Sequence, residues 1–217
     1  LHIHAGRLDM KQIYSQLTQI RPVCVLDATH PYADEVTKNI KEACQTAGVP
    51  YMRILRENTD MTENVTGSAK AHIRVADSMR EAVDLLNDKP YLEKNILLTT
   101  GSKHLPDYTK IQDYQNRAYL RLLPSPEMLQ KAVDTGFLPA HLIAMQGPFS
   151  QELNVALIKQ SGIGVLVTKQ SGKSGGFEEK ISAAEQTGTD VIVIKRPKQE
   201  DGKNLSEAEA ELKKLMT

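Results

Sequence analysis

The sequence predicts an α/β protein built as two doubly wound lobes with mainly parallel sheets. Short apolar runs alternate with amphipathic helical patterns along the whole chain, the order that βα units produce. The residues just after each run are enriched in glycine and polar side chains, as expected where strands hand over to helices at a ligand-binding edge. The pattern gives roughly eight or nine strands, which would make a single open parallel sheet unusually wide.

Taken in order, the run at residues 23–26 predicts a strand. Ala33, Val36, Ile40, Ala43 and Ala47 then recur at spacings of three and four, which predicts a helix, and Gly48 stops it. A strand follows over 49–55, with Pro50 near its start, where a missing N–H does least damage. After a polar stretch at 56–68 come a strand over 72–76 and a helix capped by Ser78, with Met79, Ala82, Val83 and Leu86 on its apolar stripe. Residues 87–95, with Pro90 inside, mark the expected boundary between a lobe of residues 1–90 and a lobe of residues 95–217. In the second lobe strands are expected at 96–101, 119–123, 141–145, 164–168 and 191–194. Helices are expected at 126–135, 150–160 and 177–187, and a closing amphipathic helix carries Leu205, Ala208, Leu212 and Leu215. The strings at 26–33 and 143–150 echo each other: each runs from a strand through a turn to a Pro-aromatic-small triplet, with the proline expected in the first helical turn.

Composition narrows the function classes. With 217 residues the chain is long enough for a core without disulfides, and 40% apolar with 25% charged residues is a globular composition. Lys and Arg number 27 and Asp and Glu 27, so no global field collects nucleic acid or an anionic membrane, and an anionic ligand must be held by local geometry. No apolar run reaches membrane-spanning length and the start lacks a signal-peptide pattern, so a cytoplasmic location is expected. Cys24 and Cys44 fit buried reduced thiols, and the six histidines have no metal-ligand spacing, so no metal is expected.

Four loops carry the residues suited to chemistry. The first, Asp27-Ala28-Thr29-His30-Pro31-Tyr32, sets donors beside a helix N-terminus and its free amides, unless Asp27 merely caps its own turn. The second places Gly101, Ser102, Lys103 and His104 together, a set suited to a carboxylate or phosphate or to a solvated turn. The third, Gln146-Gly147-Pro148-Phe149, suits a flat conjugated ligand or a hydrophobic staple at a helix entry. The fourth runs from Thr168 and Lys169 through Ser171, Gly172, Gly175 and Gly176 to Lys180, an anion-friendly loop or a mobile linker that lacks the P-loop order. No nucleophile elbow, zinc-protease helix or G-x-G-x-x-G is present. From spacing alone, these loops support a binding cleft for an anionic metabolite.

In this order the loops resemble the precorrin-6A reductase family of cobalamin biosynthesis, which includes the cobalt-precorrin-6A reductases. The resemblance rests on Gly6-Arg7-Leu8-Asp9, the string from Asp27 to Ala33, Thr100 to Lys103 and Gln146 to Ser150. It continues in Thr168-Lys169 with Ser171-Gly172, in Gly175-Gly176 with Glu179-Lys180, and in Arg196-Pro197. It implies a two-lobed Rossmann-like fold with the reaction in the cleft between lobes, the N-terminal lobe on the cofactor side and the C-terminal lobe on the substrate side. The implied reaction is hydride transfer from NADPH or NADH to one double bond of a carboxylate-rich macrocycle, precorrin-6A or its cobalt form. Amides, hydroxyls and lysines of the loops would meet the peripheral carboxylates, with Lys169 balancing charge, while Tyr32 and Phe149 meet the ring face. Thr29, His30, Tyr32, Gly101, Ser102, Lys103, Gln146, Gly147, Phe149, Thr168, Lys169, Ser171, Gly172, Gly175 and Gly176 form the expected substrate side. His30, Tyr32 or Lys103 is expected to handle the proton. Asp27, Ala28 and Thr29 fall on the cofactor side, with Gly6 and Arg7 as candidates for the adenosine ribose or its 2′-phosphate.

Family members open with a strand and a Gly-Gly-Thr-type loop, whereas this chain begins at what looks like the third strand. The expectation is therefore a chain whose N-terminal lobe lacks its first strand–helix unit, with the principal pyrophosphate site outside this numbering. The competing reading, from a different class, is a non-catalytic binding protein for an anionic tetrapyrrole or other metabolite. Nucleic-acid binding is disfavoured, since basic residues are interleaved with acidic ones.

Overall fold

The computed structural model describes residues 3–4, 6–29, 33–55, 71–170, 175–195 and 202–215. In chain order these form α1 (Met10–Ile20), β1 (Val25–Asp27), α2 (Asp34–Ala47), β2 (Tyr51–Arg53), β3 (Ile73–Ala76), α3 (Met79–Leu86) and β4 (Asn95–Leu98). Then come α4 (Leu105–Tyr108), α5 (Tyr114–Arg117), β5 (Ala118–Leu122), α6 (Pro126–Asp134), β6 (Leu142–Ala144), α7 (Gln151–Gln160), β7 (Ile163–Lys169), α8 (Phe177–Thr187), β8 (Asp190–Ile194) and α9 (Leu205–Leu215). Short 3-10 turns at Ser102–His104 and Pro139–His141 lead into α4 and β6. The chain divides into two compact units, residues 1–59 with 197–217, and residues 60–196.

In the first unit β1 and β2 pair in parallel, Val25 with Tyr51 through Asp27 with Arg53, and Ile54 bridges to Lys203 ahead of α9. Helix α1 starts in a capping box in which Asp9 accepts from the Gln12 amide and the Gln12 side chain accepts from the Asp9 amide. Its Ile13 and Leu17, one turn apart, pack with Ala43 and Cys44 of α2 to form the core of this unit. Cys44 is buried, Cys24 is half-buried, and both are free thiols.

The second unit is a six-stranded parallel sheet in the order β3-β8-β7-β4-β5-β6. Both faces are covered. Leu98, Leu120, Val165, Val167 and Ile192 look toward α3, α4 and α6, whereas Leu97, Leu166, Val191 and Val193 look toward α7 and α8. Strand residues therefore alternate between two cores, which is why these strands read as continuous apolar runs. The connections from β3 to β6 advance across the sheet over one face, and those from β6 through β7 to β8 return over the other. All five crossovers consequently share one hand. The chain reverses direction between β4 and β7, which are neighbours, so the switch point lies at their carboxyl ends.

Three expectations are corrected here. The boundary near residues 90–95 does not separate the sheets, because β3 adds to the edge of the larger sheet beside β8, Ile73 with Val191 through Ala76 with Ile194. The stripe of α3 joins the core of that sheet, and α9 groups with the first unit. Pro148 lies outside α7 rather than in its first turn, since the Ser150 hydroxyl accepts from the Leu153 amide at 3.3 Å and fixes the helix start there. Among the described residues no helix is long and apolar enough to cross a membrane.

Candidate functional site

The first loop starts from a fully paired charge. Asp27 is buried, and the Arg53 guanidinium meets its Oδ1 at 2.6 Å while the Tyr51 hydroxyl donates to Oδ2 at 2.8 Å. The Thr29 amide also donates to Oδ1, at 3.0 Å. Arg53 in turn donates to the Thr29 hydroxyl at 2.7 Å, the Thr29 carbonyl at 3.1 Å and the Thr37 hydroxyl at 3.2 Å. Burial would raise the Asp27 carboxyl, but the Thr29 amide, the two hydroxyls and Arg53 outweigh it and hold the carboxyl below its ordinary value. Asp27 and the Thr29 side chain thus fix the turn from within, and Ala28 is exposed at its tip. Helix α2 follows from Ala33, which as an alanine offers its first turn no side-chain cap. His30 and Tyr32 lie outside the described residues. Gly6 and Arg7 are exposed ahead of α1, and the described residues Ile3 and His4 lie in no strand.

The other three loops come together on one edge of the larger sheet. At the switch point the Thr99 amide and hydroxyl both donate to the Val167 carbonyl, which ties the loop after β4 to β7. Gly101, at φ +78°, turns the chain into the 3-10 segment, and its carbonyl accepts from the buried Tyr108 hydroxyl at 2.9 Å. That hydroxyl also bonds the Thr100 hydroxyl. Ser102 contacts the Met128 sulfur at 3.2 Å, and Lys103 is exposed. His104 bonds Asp107 at 3.2 Å. Burial lowers its pKa, Asp107 opposes this, and the positive charges of Lys169 and Lys103 reinforce it. Lys103 follows β4, and Lys169 ends the neighbouring β7.

The third and fourth loops meet around Arg121, near the end of β5. Its guanidinium carbon lies 4.0 Å from the centre of the Phe149 ring, and Nη1 donates to Asn154 at 2.8 Å. Asn154 donates to the Ser150 carbonyl at 2.8 Å, so one side-chain relay fixes the helix entry. A side chain on Gly147 would stand 2.9 Å from the Phe149 ring two residues on, so the glycine makes room for that ring within its own loop, while Gly176, 3.8 Å from the Phe149 carbonyl oxygen at its Cβ position, turns the fourth loop into α8 at φ +60°. The Lys180 ammonium is buried and donates to the Gly175 carbonyl at 2.6 Å. Thr168 is buried at the end of β7, Gln146 is exposed, and Ser171 and Gly172 lie outside the described residues. Arg53, Arg121 and Asn154 were not singled out from the sequence. The available signal was an arginine inside an apolar strand pattern, Tyr119-Leu120-Arg121-Leu122 for β5 and Tyr51-Met52-Arg53-Ile54 for β2.

This edge offers cations at the switch point, a second cationic corner and exposed apolar side chains at Leu123 and Met145. The family model described as Precorrin-6x reductase CbiJ/CobK matches residues 1–214. The chain belongs to this family. It is 34% identical over 205 residues to a cobalt-precorrin-6A reductase of Priestia megaterium, covering 92% of this chain and 75% of that protein. It is 33% identical over 195 residues to a cobalt-precorrin-6A reductase of Salmonella typhimurium, covering 90% and 71%. The relative of the same description from Methanothermobacter thermautotrophicus is 33% identical over 192 residues, 88% of this chain and 60% of that one. A solved CobK precorrin-6A reductase superposes with a TM-score of 0.68 at 26% identity, covering 97% of this chain and 81% of that structure.

Proposed function

We propose that this chain reduces one carbon–carbon double bond of a carboxylate-rich tetrapyrrole, precorrin-6A or its cobalt form, with NADPH or NADH as the hydride source. The observation that carries the reading is the carboxyl edge of the parallel sheet in the second unit, where Lys103 follows β4 and Lys169 ends the adjacent β7 at the switch point, in a chain of this family. A macrocycle with an apolar face and an anionic rim needs apolar surface and separated cations. Leu123 and Met145 expose apolar side chains at the ends of β5 and β6, and Ser102, Lys103, Lys169 and Gln146 supply polar contacts in the loops. Gly101, Gly175 and Gly176 bring backbone to this edge.

A nicotinamide dinucleotide also needs a place for its phosphates. The start of α2 fits one of them, with Ala28 and Thr29 leading into it and Arg7 as an exposed cation suited to a 2′-phosphate. When bound, the nicotinamide supplies the hydride. The protein then has to align the reacting carbons and manage one proton, a role we assign to Lys103, His30 or Tyr32.

The test is turnover under anaerobic conditions, with NADPH and NADH each offered with precorrin-6A and with cobalt-precorrin-6A. The expected outcome is nicotinamide oxidation that requires one of the tetrapyrroles and accompanies loss of its conjugated absorbance. Oxidation without any tetrapyrrole, or none with either form, defeats the proposal. Arg7→Ala is expected to narrow any preference for NADPH over NADH; an unchanged preference removes Arg7 from the cofactor side.

A further inference from the structure

Buried charges elsewhere in the described chain are matched by partners. Asp190 takes the Lys94 ammonium at 2.6 Å and the His72 amide at 3.2 Å, and Arg117 donates to the carbonyls of Leu86, Tyr91 and Leu92. Arg121 differs. It is only 5% exposed, yet no carboxylate among the described residues lies within ion-pair distance, and Nη1 to Asn154 is the one hydrogen bond its guanidinium makes to them. The polar atoms both sealed from solvent and unpartnered are Arg117 Nε, His141 Nδ1 and Glu179 Oε2. The unbonded N–H groups of Arg121 are not among these sealed atoms. Lys180, 6% exposed, adds a second positive charge that Arg121 disfavours and that Glu179 partly offsets. Burying two like charges in this way is unfavourable unless an anion arrives.

We propose that Arg121 is an oxyanion anchor whose free N–H fork takes a side-arm carboxylate of the tetrapyrrole, with Lys180 lending the second charge. The assignment rests on the functional reading above and adds residues to its substrate side. Three features favour this ligand. The guanidinium carbon sits 4.0 Å from the centre of the Phe149 ring, a contact that restrains the group, and its planar donors suit a planar acceptor. Asn154 occupies one nitrogen and restrains the side chain before any ligand arrives. The exposed apolar residues Leu123 and Met145 follow β5 and β6, the strand that carries Arg121 and its neighbour, as an anchored apolar ring requires. A dinucleotide phosphate shares the oxyanion chemistry, and the experiment separates the two sources.

Steady-state kinetics of the full chain are compared for wild type, Arg121→Gln, Arg121→Lys and Lys180→Met, with KM measured separately for tetrapyrrole and dinucleotide. Losing a charged hydrogen-bond donor is expected to raise the tetrapyrrole KM by about 10- to 100-fold in Arg121→Gln and by less in Arg121→Lys. The dinucleotide KM should hold. If the dinucleotide KM rises instead, the anchor serves a phosphate and the carboxylate assignment falls; if neither moves, there is no anchor. Arg121→Lys and Lys180→Met keep the test alive should Arg121→Gln misfold. If wild type turns over neither tetrapyrrole, the functional reading fails by itself. Binding of uroporphyrin I, followed by its fluorescence, then tests the anchor: weaker binding by the variants supports it, and equal binding overturns it.

Discussion

Arg53 and Arg121 both stand near the carboxyl end of a parallel strand, one in each unit, and their surroundings are opposite. Around Arg53, a carboxylate, two hydroxyls and a carbonyl occupy the guanidinium. Around Arg121 there is one amide oxygen and an aromatic face. A buried ion whose directions are all occupied fixes the shape of the chain around it, here the turn from Asp27 to Thr29. One left half-paired contributes little to folding and keeps its donors for something else. Burial pushes the pKa of Arg121 down to about 10; burial and the Arg121 charge push that of Lys180 down to about 8, and Glu179 offsets the Lys180 shift only in part. Asp27 moves the favourable way despite its burial, because its partners are in place.

If that contrast is right, the largest effect comes from breaking the paired set. Arg53→Met leaves Asp27 as an uncompensated buried charge and is expected to lower stability by about 3–5 kcal/mol. Adding Asp27→Leu should recover much of this, because it removes the stranded carboxylate. Urea unfolding followed by circular dichroism reads both, and a loss below about 1 kcal/mol in the single variant would put this pair with surface ion pairs instead. The Asp27 contribution is complete above its ordinary value of 3.8 and disappears as pH falls through the lower folded value, so the cost of Arg53→Met should shrink in acid.

The unpaired set should respond in the other direction. Between about pH 8 and the ordinary lysine value of 10.5, the unfolded chain holds a proton on Lys180 that the folded chain has released, so wild-type stability should rise with pH across that window. Lys180→Met removes the rise and, at neutral pH, is expected to stabilise the protein by on the order of 2 kcal/mol while weakening tetrapyrrole binding. The charged groups acting on Lys180 are Arg121 from β5 and Glu179 from its own helix, and Asn154 of α7 is neutral. Parallel denaturation series across that window decide the matter; a variant less stable than wild type at pH 7 would mean that the ammonium holds the fold together.

Much of this could be read before any coordinates. Helix α2 and its stop at Gly48, the Ser78 cap of α3, and the strands of the larger sheet follow from periodicity and local punctuation, and such signals lie within a few residues of the element they set. Helix α1 was legible too, from the Asp9-to-Gln12 capping box followed by Ile13 and Leu17, but was not drawn from the sequence. What local pattern does not contain is partnership. Nothing near Ile73 indicates that it pairs with Val191, and on that long-range pairing the unit boundary depends. The site divides the same way: glycines and lysines announce themselves in loops, whereas Arg121 has meaning only once Phe149, Asn154 and Lys180 are folded around it.

The smallest effect probes the paired set without unpairing a charge. The Thr37 hydroxyl bonds the Thr29 hydroxyl at 2.9 Å and accepts from Arg53 at 3.2 Å, the longest of the hydrogen bonds made by that guanidinium. Thr37→Val keeps the shape of the side chain and removes both contacts, while Arg53 retains Asp27 and both oxygens of Thr29. The expected loss is therefore that of ordinary hydrogen bonds, about 0.5–1.5 kcal/mol, well below that of Arg53→Met. Should Thr37→Val cost as much as Arg53→Met, the cluster would act as one cooperative network, and the charge pair could no longer be treated as its dominant member. A double-mutant cycle between positions 37 and 53 separates these outcomes, because a large coupling energy is expected only for the network.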